Sequence, residues 1–102
     1  MVKVSVLYPN GDDVKFDMRY YIDFHMPLLQ RLMGSALKKV SVEHGISGEP
    51  GSPAPYIATG HLLFDSFQTY QASFAPHAQE IMEDIPKYTN SRPVIQIGEI
   101  KL

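Results

Sequence analysis

The stretch that decides the fold is Tyr-Ile-Ala-Thr-Gly-His-Leu-Leu-Phe at residues 56–64. It predicts a β-strand, whose alternate side chains point to opposite faces of a sheet. Both sets are largely apolar: Ile57, Thr59, His61 and Leu63 form one, and Ala58, Gly60, Leu62 and Phe64 form the other. Because a sheet with one face in water alternates more cleanly between apolar and polar residues, we expect both faces of this sheet to be covered.

Further strands lie on both sides of this one. Period-two alternation of apolar residues predicts them at 2–8, 38–47 and 93–101. Residues 48–55 contain three prolines and two glycines and predict a loop. No second core follows this loop, so it is not a linker between domains.

Two helical segments separate the strands. Asp17 suits the N-cap of the first segment, and Gly34 suits its C-terminal end. The second segment follows Ser66, is interrupted at Pro76 and ends at Pro86. The element order is therefore β-α-β-β-α-β.

An interior proline is predicted to kink the first helical segment. Pro27 cannot donate a hydrogen bond to the Asp23 carbonyl, and its ring crowds that carbonyl. Since a proline also disfavours the helical conformation of the residue before it, we expect a break near His25 and Met26. Residues at helical spacing form the expected inward stripe: Met18, Tyr21, Ile22, His25, Leu28, Leu29 and Leu32.

The element order predicts one α+β domain over residues 1–102. Right-handed crossovers on so short a chain give a four-stranded antiparallel sheet with both helices on one face, the ferredoxin-like βαββαβ arrangement. The simplest cover for the other face is a second copy of the same sheet around a two-fold axis. We therefore expect a homodimer whose sheets pack face to face as a dimeric α/β barrel.

Composition excludes several classes of function. The chain has no cysteine, which excludes a disulfide, a thiolate zinc site, an iron–sulfur cluster and a cysteine nucleophile. A formal net charge of −2 argues against nucleic acid and acidic membrane surfaces as partners. No run approaches the roughly 18 apolar residues of a membrane span, and the first residues lack the zones of a signal peptide. The expected compartment is the cytoplasm.

His25 is the strongest candidate for chemistry. It follows Tyr21 at i+4 on the inward stripe, beside the predicted break at Pro27. An imidazole changes charge near neutral pH and can act as an acid or a base, while Tyr21 could bond a substrate oxygen or His25 itself. In the alternative interpretation His25 only satisfies the carbonyl that Pro27 leaves free.

Three other histidines are weaker candidates. His77 restarts the second helical segment after Pro76, either at the rim of a helix–sheet cleft or in solvent. His44 and His61 lie on strands and face either the cleft, where they would bind substrate, or the dimer core. Structural or surface roles remain open for all three. Leu28 and Tyr70, on the helical stripes, are expected to bind the apolar part of a substrate.

No cofactor or metal is expected. The histidines show no HxH or HxxxH spacing, and the seven glycines form no GxGxxG or P-loop motif. The sequence also lacks a nucleophile elbow.

Four segments of the chain resemble the EthD family, named from ethyl tert-butyl ether degradation. They are Val4-Ser5-Val6-Leu7-Tyr8-Pro9, the run from Phe16 to Leu28 with His25-Met26-Pro27-Leu28, Phe64-Asp65-Ser66, and Asp84-Ile85-Pro86-Lys87-Tyr88-Thr89. The resemblance implies the dimeric α/β-barrel superfamily and a role in oxidative catabolism of small organic compounds, with an oxidoreductase label. In relatives of the superfamily, apolar or aromatic molecules bind between helices and sheet, often beside a histidine. Pro76-His77 is similar to a Pro-His piece of some of them.

Two functions are compatible with these residues. In the first, the protein is an enzyme for a small, mostly apolar molecule, in which Tyr21 and His25 orient it and move a proton, with His77 as a partner. This isomerase or cyclase chemistry needs no cofactor. In the alternative, the same pocket only holds an intermediate and delivers it to an oxygenase. A dimer with an unused pocket is the third interpretation.

Overall fold

The computed structural model describes all residues 1–102. Its sheet has the strand order β2-β3-β1-β4, and all three neighbouring pairs are antiparallel. The strands are β1 (Val2–Pro9), β2 (Lys39–His44), β3 (Tyr56–Phe64) and β4 (Val94–Glu99). The predicted ferredoxin-like sheet is confirmed. β2 and β4 are shorter than the predicted ranges 38–47 and 93–101.

Each helical segment is built from short pieces. The first contains α1 (Met18–Tyr20), a π-helical turn (Tyr21–His25), α2 (Met26–Met33) and a 3₁₀ turn (Gly34–Ala36). The second contains α3 (Phe67–Phe74), a 3₁₀ turn (Ala75–His77), α4 (Ala78–Asp84) and another 3₁₀ turn (Ile85–Lys87). The predicted N-cap Asp17 is confirmed, since its side chain accepts the Tyr20 N–H, and Ser66 caps α3 in the same way.

Pro27 is accommodated by the π-helical turn rather than by a kink. The expectation that Met26 leaves the helical region is wrong, because its φ of −64° and ψ of −42° are helical. The Met26 N–H instead donates to the Tyr21 carbonyl, five residues back. This wider turn shifts the inward stripe, so Ile22 is 49% exposed where we expected it to be buried.

The hydrophobic core lies between the helical segments and one face of the sheet. Alternate residues of β1 and β3 that share this face are buried: Val2, Val4, Tyr8, Ala58, Leu62 and Phe64. They pack against the helical residues Tyr21, Met26, Leu29, Met33, Tyr70 and Ile81. The helix-facing side of the sheet thus forms the floor of the candidate site.

The other face of the sheet is uncovered in the single chain. Ile57, Thr59, His61 and Leu63 are half-buried there, as the alternation of β3 predicts. Five of their cross-strand neighbours are polar, namely Lys3, Ser5, Lys39, Ser41 and Glu43, whereas Leu7 opposite Thr59 is apolar. The open face therefore combines apolar residues of β3 and β1 with polar residues of the neighbouring strands.

Candidate functional site

The site is built around a buried imidazole and a buried carboxylate. His25 lies in the π-helical turn of the first helical segment, and Asp84 is the last residue of α4 in the second. The His25 Nδ1–H donates to Asp84 Oδ2 at 2.9 Å. The two residues are 3% and 7% exposed, so this bond links the two helical segments inside the protein.

Burial and hydrogen bonds set the charge states of the pair. Burial lowers the pKa of His25 below its ordinary value, although the Asp84 carboxylate opposes this shift. Burial alone raises the pKa of Asp84, but bonds from His25 and Tyr20 and the nearby Lys87 charge together lower it. At neutral pH the pair is therefore a neutral imidazole beside an ionised carboxylate.

The second carboxylate oxygen of Asp84 faces outward. The Tyr20 hydroxyl donates to Asp84 Oδ1 at 2.8 Å, and Lys87 Nζ lies 3.6 Å from the same atom. Two hydrogen bonds and one ion pair thus hold the carboxylate in one orientation. Because an ionised carboxylate only accepts, the bound imidazole must carry its proton on Nδ1.

The other ring nitrogen, Nε2 of His25, has no hydrogen-bond partner in the chain. His25 is one of the residues that line the apolar cavity between the helical segments and the sheet. The alternative in which His25 satisfies a backbone carbonyl is wrong, because its one bond goes to Asp84.

The cavity lies between the helical segments and the sheet. Fourteen of its 16 lining residues are hydrophobic, and no carboxylate or ammonium group lines it. The lining residues with a polar tip are His25, Tyr8, Tyr21 and Tyr70. Such a lining favours an uncharged, mostly apolar ligand with few polar atoms.

The cavity is nearly closed. Its free volume is about 40 Å³, enough for one or a few water molecules. Ligand pockets have volumes of about 300 Å³ or more, so an organic ligand must displace side chains.

Met82 and Ile95 line the cavity and are 46% and 45% exposed, which places its mouth between α4 and β4. Methionines adapt their shape readily, and Met26 and Met33 line the interior.

Aromatic rings fix the imidazole. Tyr21 stacks on His25 with ring centroids 5.5 Å apart and planes 18° apart, and Tyr88 lies 4.7 Å away. Tyr21 does not hydrogen-bond His25. The Tyr8 and Tyr88 hydroxyls bond each other at 2.7 Å. Burial raises the pKa of all three phenols, so they remain protonated donors.

Gly60 makes room for the Tyr21 hydroxyl. A Cβ at this position of β3 would collide with the hydroxyl oxygen and lie 3.0 Å from Met26 Cε. The absence of a side chain therefore lets Tyr21 reach the sheet while its ring stays stacked on His25.

The structure brings only some of the predicted site residues together. His25, Tyr21 and Tyr70 line the cavity. Leu28 lies on the outer side of the helical layer, beside Asp84, and His77 is half-buried in its 3₁₀ turn without lining the cavity.

The two strand histidines lie outside the cavity as well. His44 is exposed at the end of edge strand β2. His61 lies on the open face, where the Ser5 hydroxyl is 3.1 Å from its Nδ1 and Glu43 Oε1 is 3.8 Å from its Nε2.

Sequence reasoning missed four members of this cluster. Asp84 and Tyr88 contact His25, Tyr20 bonds Asp84, and Tyr8 bonds Tyr88. Asp84 and Tyr88 belong to the segment at 84–89 that carries the family resemblance. Asp84 follows the inward-facing Ile81 at i+3 spacing, whereas Glu83 does not, and this position on the apolar stripe was a usable signal. Nothing in the sequence indicated that it would meet His25, 59 residues away.

Two further observations concern metal binding and membrane-spanning helices. No three side chains among histidine, aspartate and glutamate come together in a way that could hold a metal ion. No helix has both the length and the apolar character required to cross a membrane.

The sheet topology and the helix-side cavity define a ferredoxin-like α+β protein. The family model described as EthD domain matches residues 11–92. A solved EthD-like protein from Ralstonia eutropha is 37% identical, with a TM-score of 0.94 over 99% of this chain and 92% of that chain. The chain belongs to the EthD family.

More distant structures share the fold. An EthD family protein from Bacillus halodurans is 21% identical, with a TM-score of 0.75 over 99% of each chain. A dimeric ferredoxin-like protein of unknown function from Thermobifida fusca is 13% identical, with a TM-score of 0.61 over 97% of this chain and 90% of that chain. A search of curated proteins finds no match.

Proposed function

We propose that this EthD-family protein binds a small, uncharged, mostly apolar organic molecule in the helix-side cavity and moves a proton on it with His25. The observation that carries the proposal is the state of the imidazole. Its Nδ1 is held by Asp84, Nε2 has no protein partner, and His25 lines the apolar cavity. A neutral imidazole in this tautomer is a base directed at the ligand.

The chemistry is abstraction and return of a proton at an activated carbon. Nε2 takes the proton, and the Asp84 carboxylate stabilises the imidazolium that forms. A positioned histidine contributes about 10²–10⁴ in rate, which suits enolisation, isomerisation or cyclisation. This contribution to the rate is too small for cleavage of an unactivated ether. We therefore propose that, within oxidative catabolism, the protein acts on a carbonyl compound.

The tyrosines supply the complementary donors. Tyr8 and Tyr21 line the cavity with His25, and their raised pKa values keep the hydroxyl protons in place. A hydroxyl directed at a ligand carbonyl stabilises the negative charge that develops on its oxygen when the neighbouring carbon loses a proton. The substrate of the proposed reaction therefore carries one carbonyl group on an apolar body.

Hydrogen exchange in heavy water tests this function. β-Tetralone is an uncharged bicyclic ketone with acidic hydrogens beside its carbonyl, and we expect the protein to accelerate their exchange. His25→Gln should remove the acceleration, and the matched variant His61→Gln should keep it. Acceleration that survives His25→Gln would rule out His25 as the base.

The auxiliary function is supported by a different observation. Besides the three tyrosines, His25 is the only lining residue with a polar side-chain atom. This is few polar groups for a reaction site. A carrier for an apolar intermediate needs no more than that. Tight binding of β-tetralone without exchange in wild-type protein would favour the carrier over the enzyme.

We also propose that the open sheet face pairs with a second copy of the chain. Ile57 and Leu63 on β3 form its apolar centre, and a similar fold is described as dimeric in Thermobifida fusca. Light scattering at micromolar concentration should give twice the chain mass. Leu63→Glu should give the monomer, and a monomeric wild type would refute the pairing.

A further inference from the structure

We infer that the His25–Asp84 pair carries the proton through the helical layer, from the ligand on one side to the solvent on the other. This inference rests on the proposed function of His25 as a base. It adds the direction in which the proton leaves.

The pair connects two separate hollows. His25 lines the apolar cavity above the sheet, and Asp84 lines an outer groove of about 390 Å³ on the opposite side of the helical layer. The other residues of this groove are Leu28, Glu80, Glu83 and Lys87. No residue lines both hollows, so the hydrogen bond between Nδ1 and Oδ2 is the polar link between them.

The cavity side offers no second acceptor. Apart from His25, its titratable side chains are the phenols of Tyr8, Tyr21 and Tyr70, and burial raises the pKa of each. A protonated phenol donates and does not take up a proton from an imidazolium. With about 40 Å³ of apolar space, a bound ligand also leaves no room for a water chain.

The outer groove provides the exit. The groove is lined by three exposed charged side chains, Glu80, Glu83 and Lys87, and Asp84 lines it while bonded to His25. Tyr20 and Lys87 hold Oδ1, which leaves Oδ2 for the imidazole. Tyr20 is therefore a positioning residue for Asp84.

The proposed step balances in protons. The ligand C–H bond breaks, its electron pair stays on the ligand, and the proton bonds to Nε2. The resulting imidazolium passes its Nδ1 proton to Asp84 Oδ2, and the neutral carboxyl group, now the donor to Nδ1, exchanges this proton with water in the groove. The proton now on Nε2 is delivered to the product, and Nδ1 is protonated again from the groove. No oxidant, reductant or cofactor takes part.

The route is testable without any ligand. Exchange of the His25 Nδ1 proton with water can be measured by NMR on protein with isotope-labelled histidine. Leu28→Trp covers Asp84 in the groove, and Ile95→Trp plugs the mouth of the cavity. We expect Leu28→Trp to slow the exchange at least about tenfold and Ile95→Trp to leave it unchanged.

The opposite result would overturn the inference. Slowing by Ile95→Trp, by both variants or by neither would show that water does not reach Nδ1 through the groove. Leu28→Phe provides a smaller plug if the tryptophan variant does not fold. This measurement uses no ligand, so it tests the exit route alone. The role of His25 as a base is tested separately by the exchange of β-tetralone.

Discussion

Two clusters in this molecule contain the same chemical groups in different surroundings. In one, His25 bonds the Asp84 carboxylate at 2.9 Å beneath the helices. In the other, His61 on the open sheet face lies 3.8 Å from Glu43. The side chains of the first pair are 4% and 9% exposed, whereas those of the second are 19% and 74% exposed.

Burial and fixed hydrogen-bond partners, rather than residue type, distinguish the candidate base His25 from His61. The Asp84 carboxylate has three donors around it and is ionised inside the protein. Glu43 accepts from Thr59 and otherwise extends into solvent, where water screens its charge. The predictions below compare the two clusters directly.

The largest expected effect comes from removing the two carboxylates in turn. Asp84→Asn should lower the acceleration of β-tetralone exchange about 10²–10⁴-fold, because the amide no longer fixes the Nδ1–H tautomer. Glu43→Gln should leave it unchanged. Equal losses in the two variants would show that the carboxylates act on general stability rather than on His25.

The second prediction concerns the packing that orients Tyr21. Gly60→Ala should destabilise the fold by about 1–3 kcal/mol, since its methyl group collides with the Tyr21 hydroxyl. Gly98→Ala on β4 is the matched control, because nothing lies within 4 Å of its added Cβ. Urea unfolding measures both, and a Gly60→Ala variant as stable as Gly98→Ala would refute the close approach.

These two predictions rest on features that the sequence revealed unequally. The strand and helix order followed from alternation, caps and turn residues, which are local signals. The prolines at 76 and 86 lie in the 3₁₀ turns that follow α3 and α4, where the second segment was predicted to be interrupted and to end. The π-helical turn was not predicted, because the same steric conflict at Pro27 can be relieved by a kink or by a wider turn.

The site was harder to predict than the fold. His25 and Tyr21 were found because they share an inward stripe next to Pro27. Asp84 was missed because its contact with His25, 59 residues away, depends on how the two helical segments pack together. His77 was predicted to join the site from its position after Pro76, but the 3₁₀ turn places it away from the cavity.

The third prediction is a pH dependence of stability. The folded pKa of His25 lies below its unfolded value of about 6.5, so the unfolded state binds more protons as the pH falls below that value. Asp84, whose folded pKa is also lowered, adds a loss of stability below about pH 4. The urea midpoint should therefore fall on acidification, starting near pH 6.5.

Two variants separate the clusters in this titration. His25→Gln should flatten the upper part of the decline, while His61→Gln should keep it. An unchanged upper part in His25→Gln would show that His25 is not buried in its neutral form.

The smallest expected effect concerns Tyr20. Tyr20→Phe removes one donor from Asp84 Oδ1, so the pKa of Asp84 should rise toward its ordinary value. NMR of the carboxyl carbon measures this shift. Tyr56→Phe is the control, since the Tyr56 hydroxyl makes no side-chain bond to Asp84, and an equal response in the two variants would remove Tyr20 from the cluster.

The most direct measurement is an NMR titration of the His25 ring nitrogens in the intact protein. The account predicts a neutral ring at neutral pH, with its proton on Nδ1 and a titration midpoint below about 6.5. A ring that is charged at neutral pH, or that carries its single proton on Nε2, would contradict the claim that His25 presents a free base to the cavity.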